Sequence, residues 1–446
     1  MMMEPEVEAL GEEATVVQES YTMGCVVGDT GVIVEGVAVQ RQGPALTNAT
    51  LRKWVKLWCK GKKKDLPHIS AWDTHLVTDM RNLFKEKCDF NDDIGAWDTS
   101  SVTTMEGMFS VKNIIWGEKR MIFDQDLGAW DTSKVTDMSN MFTGCESFKG
   151  ASIGCWDTAS VTKMAHMFAG CKKFNGDISE WSVGNVETMS WMFVNAESFN
   201  QDISSWSVDK VQDMSWMFCG ASLFNQPIGA WRVDNVTTMK RLFAKASAFD
   251  QPIGDWRVDK VTDMSLMFWD ATSFNQAIGA WSVDNVKTMW AMFSGAKSFD
   301  QPIGDWRVHN VTNMAGMFQG PMQWIHLPKS GSMSVPTGAH MAFNQPIGGW
   351  DVSNVTTMYA MFLGADAFNQ PIGGWRVDKV QSFGQMFLNA SSFNQDLSEW
   401  RVPITQLGCF PGTLPPQFPL FLMFTGANAM EKKHRPTPKA PCCTVS

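Results

Sequence analysis

Tyrosine is almost missing from this chain, with 2 residues in 446, and charged residues reach only 19%. The ten cysteines are too dilute for a disulfide scaffold. Seven histidines share no spacing that would suit a zinc or catalytic site. No run approaches the roughly 18 apolar residues that a membrane helix requires. The start, Met1 to Glu13, is acidic and has no basic-then-apolar leader. With a net charge of −9, a globally basic nucleic-acid binder is not expected.

What is present is lopsided: 21 Trp, 29 Phe and 31 Met. Thirteen tryptophans set a register, at Trp72, Trp97, Trp130, Trp156, Trp181, Trp206, Trp231, Trp256, Trp281, Trp306, Trp350, Trp375 and Trp400, and nine of their twelve spacings are 25 residues. Counting each Trp as zero, position +5 is Val in all twelve complete units, +8 is Met in eleven and +12 is Phe in all twelve. Once insertions are allowed for, +18 is also Phe throughout. The repeat therefore accounts for the composition. One unit cannot bury its own Trp, Met and Phe, so neighbours must stack over them.

The fold class implied is an α/β repeat solenoid of about 12–13 coils. The apolar spacing from +5 to +12 predicts a short helix in each coil. Asp or Ser at +3, or Thr at +6, is placed to cap it. Gly, Asn or Asp at +14 suits a left-handed helix end. A short strand around +22 to +2 is expected to pair in parallel with its copies, Pro at +21 keeping it short.

The domain reading is an acidic tail over 1–45, an amphipathic capping helix within 46–65, and the repeats over 66–402. A degraded last repeat covers 403–430, in which Met423 to Ala427 reproduce +11 to +15, and a basic tail covers 431–446. Insertions at about 111–122 and 321–339 fall between +12 and +18, where the chain is expected at the surface. The longer is either a true loop or an unspliced fragment.

The string Phe-Asn-Gln-x-Ile-x-x-Trp-x-Val-x-x-Val-x-x-Met-x-x-Met-Phe-x-Gly-Ala, repeated over about 66–402, resembles the BspA-like leucine-rich-repeat surface proteins. That resemblance implies a leucine-rich-repeat-like solenoid with a role in adhesion or protein recognition, and supplies no catalytic residues.

No nucleophile elbow or phosphate loop is present, so no catalytic, cofactor or metal residues are assigned and an enzyme is not expected. Asn or Asp at +19, from Asn91 to Asn394, is read as a ladder bonding the next coil's backbone, with Ca²⁺ binding as the alternative. Cys145 and Cys171, both at +15, are read as buried thiols in place of Ala, with a disulfide as the alternative. Candidate partner-binding residues lie at variable positions. Trp191 and Trp216 sit at +10 in adjacent coils, and Trp is enriched at binding hot spots. Arg232, Asp234, Arg257 and Asp259 form a stripe at +1 and +3, whose plain alternative is a solvated edge of weak ion pairs. Cys443-Thr444-Val445-Ser446 fits a prenylation pattern, with Cys442 beside it as an acylation candidate.

The function expected is thus a non-enzymatic scaffold, most simply a monomer, that recognises a protein or a cell-surface ligand. The alternative is an intracellular, lipid-anchored interaction scaffold. A cytoplasmic or membrane-associated location is expected ahead of the cell surface.

Overall fold

The computed structural model describes residues 44–112, 120–327, 331–403, 423–436 and 438–439, with the backbone alone for 323–327, 331–336, 403 and 438–439. The acidic tail, except Pro44 and Ala45, lies outside these residues, as does the Cys442–Cys443 pair.

The repeats form stacked coils, an arrangement compatible with a solenoid. The predicted helix is absent from every coil. In its place run two consecutive turns. In the Trp206 coil, the Met217 amide donates to the Met214 carbonyl at 3.2 Å, and the Ala221 amide to Phe218 at 3.0 Å. The residues at +10 and +14, Trp216 and Gly220, have φ of 61° and 75°, as a type II turn demands of its third residue. All twelve +10 residues share this conformation, ten of them not glycine. An α-helix cannot pass through a positive φ, so the spacing that suited a helix serves a turn pair instead.

The turns leave alternate amides free to bond the next coil. Met214, Trp216, Phe218 and Gly220 donate to Thr238, Lys240, Leu242 and Ala244 at 3.3, 2.8, 3.0 and 2.7 Å. The parallel pairing expected around +22 to +2 is displaced. It is reduced to one bridge per coil at +7, running from Asp79 through Asp213 and Thr238 to Ser382. The segment around +22 is held by side chains. From Trp97 to Trp400, each indole N–H donates to the carbonyl of the Ile or Leu three residues before the preceding repeat Trp, at 2.8 to 3.3 Å. Buried carbonyls need partners, which is why the position is Trp and not Phe.

Inside, Phe at +12 stacks on Phe at +18 of its own coil, 4.0 Å for Phe218–Phe224, and on the next +12 ring, 5.7 Å for Phe218–Phe243. The Trp, Met, Phe and Ile repeat positions are all buried. At +19 the side-chain ladder runs unbroken from Asn175 to Asn394, and at Lys149 the main-chain carbonyl takes the place of the side-chain oxygen, accepting from the Asn175 amide at 3.2 Å. The amide of Asn225 donates to Asn200 Oδ1, that of Asp250 to Asn225 Oδ1 and that of Asn275 to Asp250 Oδ1, at 2.9, 2.9 and 2.8 Å. These oxygens are engaged by the backbone, and among the described residues no group of three or more acidic, His or Cys side chains is placed to hold a metal ion.

The helix α1, Asn48–Trp58, is capped by Thr47, whose side chain and that of Thr50 exchange bonds in a capping box. Leu51, Val55 and Trp58 are buried against the first coil, each contributing roughly 1.5–3 kcal/mol. Asn48 does not cap the helix. Its Oδ1 accepts from the amides of Thr78 and Asp79 at 2.9 and 3.2 Å. Arg52 donates to the carbonyls of Arg81 and Asp79 at 2.6 and 3.3 Å. Arg52 thus supplies donors that a preceding coil would have supplied.

At the other end, the carbonyls of Met423 and Thr425 accept from the amides of Phe387 and Asn389 at 2.9 and 2.8 Å. These are the roles of +11 and +13, so the out-of-register copy stacks as a half coil.

The second insertion is a hairpin, β1 Met322–Leu327 antiparallel to β2 Gly331–Pro336. The repeat resumes beyond it in register, with Phe318 on Phe343 at 3.9 Å. Two further short strands, β3 Val402–Pro403 and β4 Pro438–Lys439, pair in parallel.

Candidate functional site

Because +10 has a positive φ in every coil, its side chain leaves the turn at one constant angle and successive +10 residues line up. Reading that position from the Trp156 coil to the Trp231 coil gives His166, Trp191, Trp216 and Arg241. Their groups form one column. His166 stacks on Trp191 at 5.2 Å and Trp191 on Trp216 at 4.2 Å with 16° between planes. The Arg241 guanidinium lies over the Trp216 ring at 4.1 Å. Trp269, at +13 of the next coil, closes the column, with Arg241 at 5.1 Å and Lys245 at 4.7 Å from its centre. Cation–π contacts of this kind contribute about 0.5–2 kcal/mol each.

The floor of the column is the row of small +13 residues Ala169, Val194, Cys219 and Ala244, against which Trp191, Trp216 and Trp269 pack. The rings are half-buried, so an edge of each reaches solvent. Desolvation leaves its mark on the titrating groups. Burial lowers the His166 pKa against the opposing pull of Asp213, and burial lowers that of Arg241. Burial pushes the Cys219 thiol up to about 11. The Nε of Arg241 is buried with no hydrogen-bond partner.

The sequence placed Trp191 and Trp216 side by side, and the structure stacks them. His166, Arg241, Lys245 and Trp269 were not singled out. His166 and Arg241 share the +10 register and were readable from it, whereas the +13 to +10 contact of Trp269 depends on how the turn aims its side chain. Trp290 and Tyr359 at +9 are exposed.

The second candidate set forms a zigzag of ion pairs. Arg232 reaches Asp209 at 3.8 Å and Asp234 at 3.4 Å, and Arg257 reaches Asp234 at 3.9 Å and Asp259 at 3.5 Å. Both Arg side chains are more than 70% exposed, so each pair contributes about 0–1 kcal/mol. Charge is balanced along this stripe, and no cation there lacks a carboxylate.

Cys145 and Cys171 are free thiols. Each is turned onto the +12 carbonyl of the coil before it, Cys171 on Phe142 at 3.0 Å and Cys145 on Phe109 at 3.5 Å. Burial raises the pKa of both, which makes them unreactive.

The family described as "Mycoplasma protein of unknown function, DUF285" matches residues 56–151, 113–231, 137–256, 213–326 and 332–407, overlapping segments that cover well over half of the chain. The chain belongs to this family. Its DUF285 repeats are the stacked coils above, and the candidate column lies within the matched segments. No curated protein matches the chain. A solved plant peptide hormone receptor, RGFR1 in complex with RGF2, aligns with 70% of this chain and 76% of its own, at 9% identity. The TM-score is 0.12, and the likeness carries no argument.

Proposed function

We propose that this DUF285 chain is a non-enzymatic repeat scaffold that recognises a protein partner through the column His166–Trp191–Trp216–Arg241–Trp269. The observation that supports this is local. Elsewhere in the stack +10 carries Asn, Gly, Leu, Ala or Gln, whereas four consecutive coils carry His166, Trp191, Trp216 and Arg241 there, with Trp269 at +13 of the next coil, and Trp and Arg are the residue types that dominate binding hot spots. The likeness to BspA-like surface proteins extends the reading to adhesion, with the leucine-rich-repeat-like solenoid as the display frame. The balanced Arg232–Asp234–Arg257–Asp259 stripe serves as a polar flank and not as the centre.

The test is to capture a partner with the full-length chain, purify it, and measure its affinity for three forms. Trp191→Ala with Trp216→Ala keeps a residue type found natively at +10, in Ala291 and Ala360. That pair is expected to lose at least about tenfold in affinity. Arg232→Ala with Arg257→Ala is expected to change it about twofold or less. A partner that binds the double tryptophan variant as tightly as the parent would falsify the proposal.

A further inference from the structure

The Trp231 coil differs from its neighbours in charge. Lys240 at +9, Arg241 at +10 and Lys245 at +14 lie within six residues. Among the described residues none of the three makes an ion pair, whereas the exposed Arg232 of the same coil does. Two carboxylates of the flanking coils are oriented by the backbone. Asp213 and Asp263 each accept a backbone amide, from Ser215 and Ser265 at 2.8 Å. Asp270 is half-buried, and its pKa is raised by that burial and lowered by Lys245 and Lys297. It stands beyond ion-pairing distance from both lysines.

The central carbon of the Arg241 guanidinium lies 4.1 Å from the centre of the Trp216 ring and 5.1 Å from that of Trp269, and its Nε is buried without a partner. What remains for a ligand is the Nη edge, the part of the fork that takes a planar oxyanion with two parallel hydrogen bonds. We infer that Lys240, Arg241 and Lys245 bind carboxylates of an acidic peptide segment while the edges of Trp191, Trp216 and Trp269 pack on its apolar neighbours. This names the chemistry of the partner and rests on the recognition reading above. Nucleic acid is the weaker fit. Bases bind single strands by stacking on open ring faces. Here the faces of Trp191 are taken by His166 and Trp216, and those of Trp216 by Trp191 and Arg241.

The experiment is fluorescence anisotropy on the full-length chain with a labelled oligoglutamate of about ten residues. The variant is Arg241→Gln with Lys245→Asn. Both replacements occur natively at these positions, Gln385 at +10 and Asn195 and Asn389 at +14, all with positive φ. The fold therefore accommodates them, and an unchanged thermal midpoint verifies it. The parent is expected to bind saturably and more weakly as salt rises, and the variant to lose at least about tenfold. Arg232→Gln with Arg257→Gln is expected to bind as the parent does. Absence of saturable binding, or binding that the Arg241 variant retains, overturns the inference. So does an oligothymidylate of equal length that binds more tightly with the same dependence on Arg241. Failure here, with the captured partner still lost by the tryptophan variants, leaves the recognition reading standing. That reading fails only on the partner measurement.

Discussion

At the scale of single residues, each repeated side chain bonds or fills one defined place in the coil before or after it. The tryptophans make the point best. Trp231 stacks on Trp206 at 6.5 Å and donates its indole N–H to the Ile203 carbonyl at 3.1 Å. Trp231→Phe keeps most of the apolar burial and leaves that carbonyl unpaired. A loss of about 1–3 kcal/mol is expected, read as a lower denaturant midpoint, and an unmoved midpoint would show the bond to be dispensable. His166 gives a pH signature. Burial depresses its folded-state pKa below the ordinary 6.5, so the unfolded chain binds the proton more readily. Its contribution is complete above about pH 6.5 and is lost as pH falls through that value toward the folded pKa. His166→Asn places there a residue found natively at +10, in Asn82 and Asn140. The drop in stability between about pH 7.5 and 5 is expected to be smaller in this variant than in the parent, and equal drops would assign the pH effect elsewhere.

At the scale of elements, the period, the buried positions and the +19 ladder were all legible, because each is a residue identity that recurs at fixed spacing. The backbone path between +8 and +15 was not. Val, Met, Met and Phe at +5, +8, +11 and +12 face inward equally well from a helix turn or from two tight turns. The deciding fact is a positive φ at +10, carried there by Trp216, Leu266 and Gln385 as readily as by Gly107 and Gly316. Non-glycine residues enter that region at about 1–2 kcal/mol each, and the amide bonds to the next coil hold them in it. For the same reason Trp269 escaped notice, since it reaches Arg241 only by way of the turn. The insertion at 321–339 offers a test at this scale. The hairpin leaves and returns beside Gly320 and His340, and the stack continues across it, with Trp306 on Trp350 at 6.5 Å and the Trp350 indole on the Ile303 carbonyl at 3.0 Å. Deleting 321–339 restores the 25-residue step. Stability is expected to stay within about 1 kcal/mol or to rise slightly through the shorter loop. Loss of the cooperative transition would mean the hairpin is needed to set the register.

At the scale of the whole molecule, a stack of near-identical coils is held by nearest-neighbour terms, so its stability depends on the number of interfaces and on how the two ends are closed. The end closures were only partly readable. An amphipathic segment before the first Trp signalled α1, but the use of Arg52 and Asn48 as stand-ins for a missing coil is a matter of geometry. Those stand-ins point to a polarity. Over +8 to +14 every inter-coil bond runs the same way, amide to the following coil and carbonyl to the preceding one. Along this stretch the two ends are therefore unlike: the first presents acceptors, which Arg52 covers, and the last presents donors, while at +6 the bonds run the other way and Asn48 accepts from the Thr78 amide of the first end. Two copies cannot join head to head through these edges, but head to tail they complement each other, and such a contact has no closing symmetry. The expected consequence is that α1 blocks such end-to-end addition as well as capping the stack. A chain shortened to begin at residue 66 is expected to add end to end into fibres, seen as light scattering that grows with concentration, while Arg52→Ala alone would do so more slowly. A shortened chain that stays monomeric at high concentration would show that the exposed edge is closed by something other than α1.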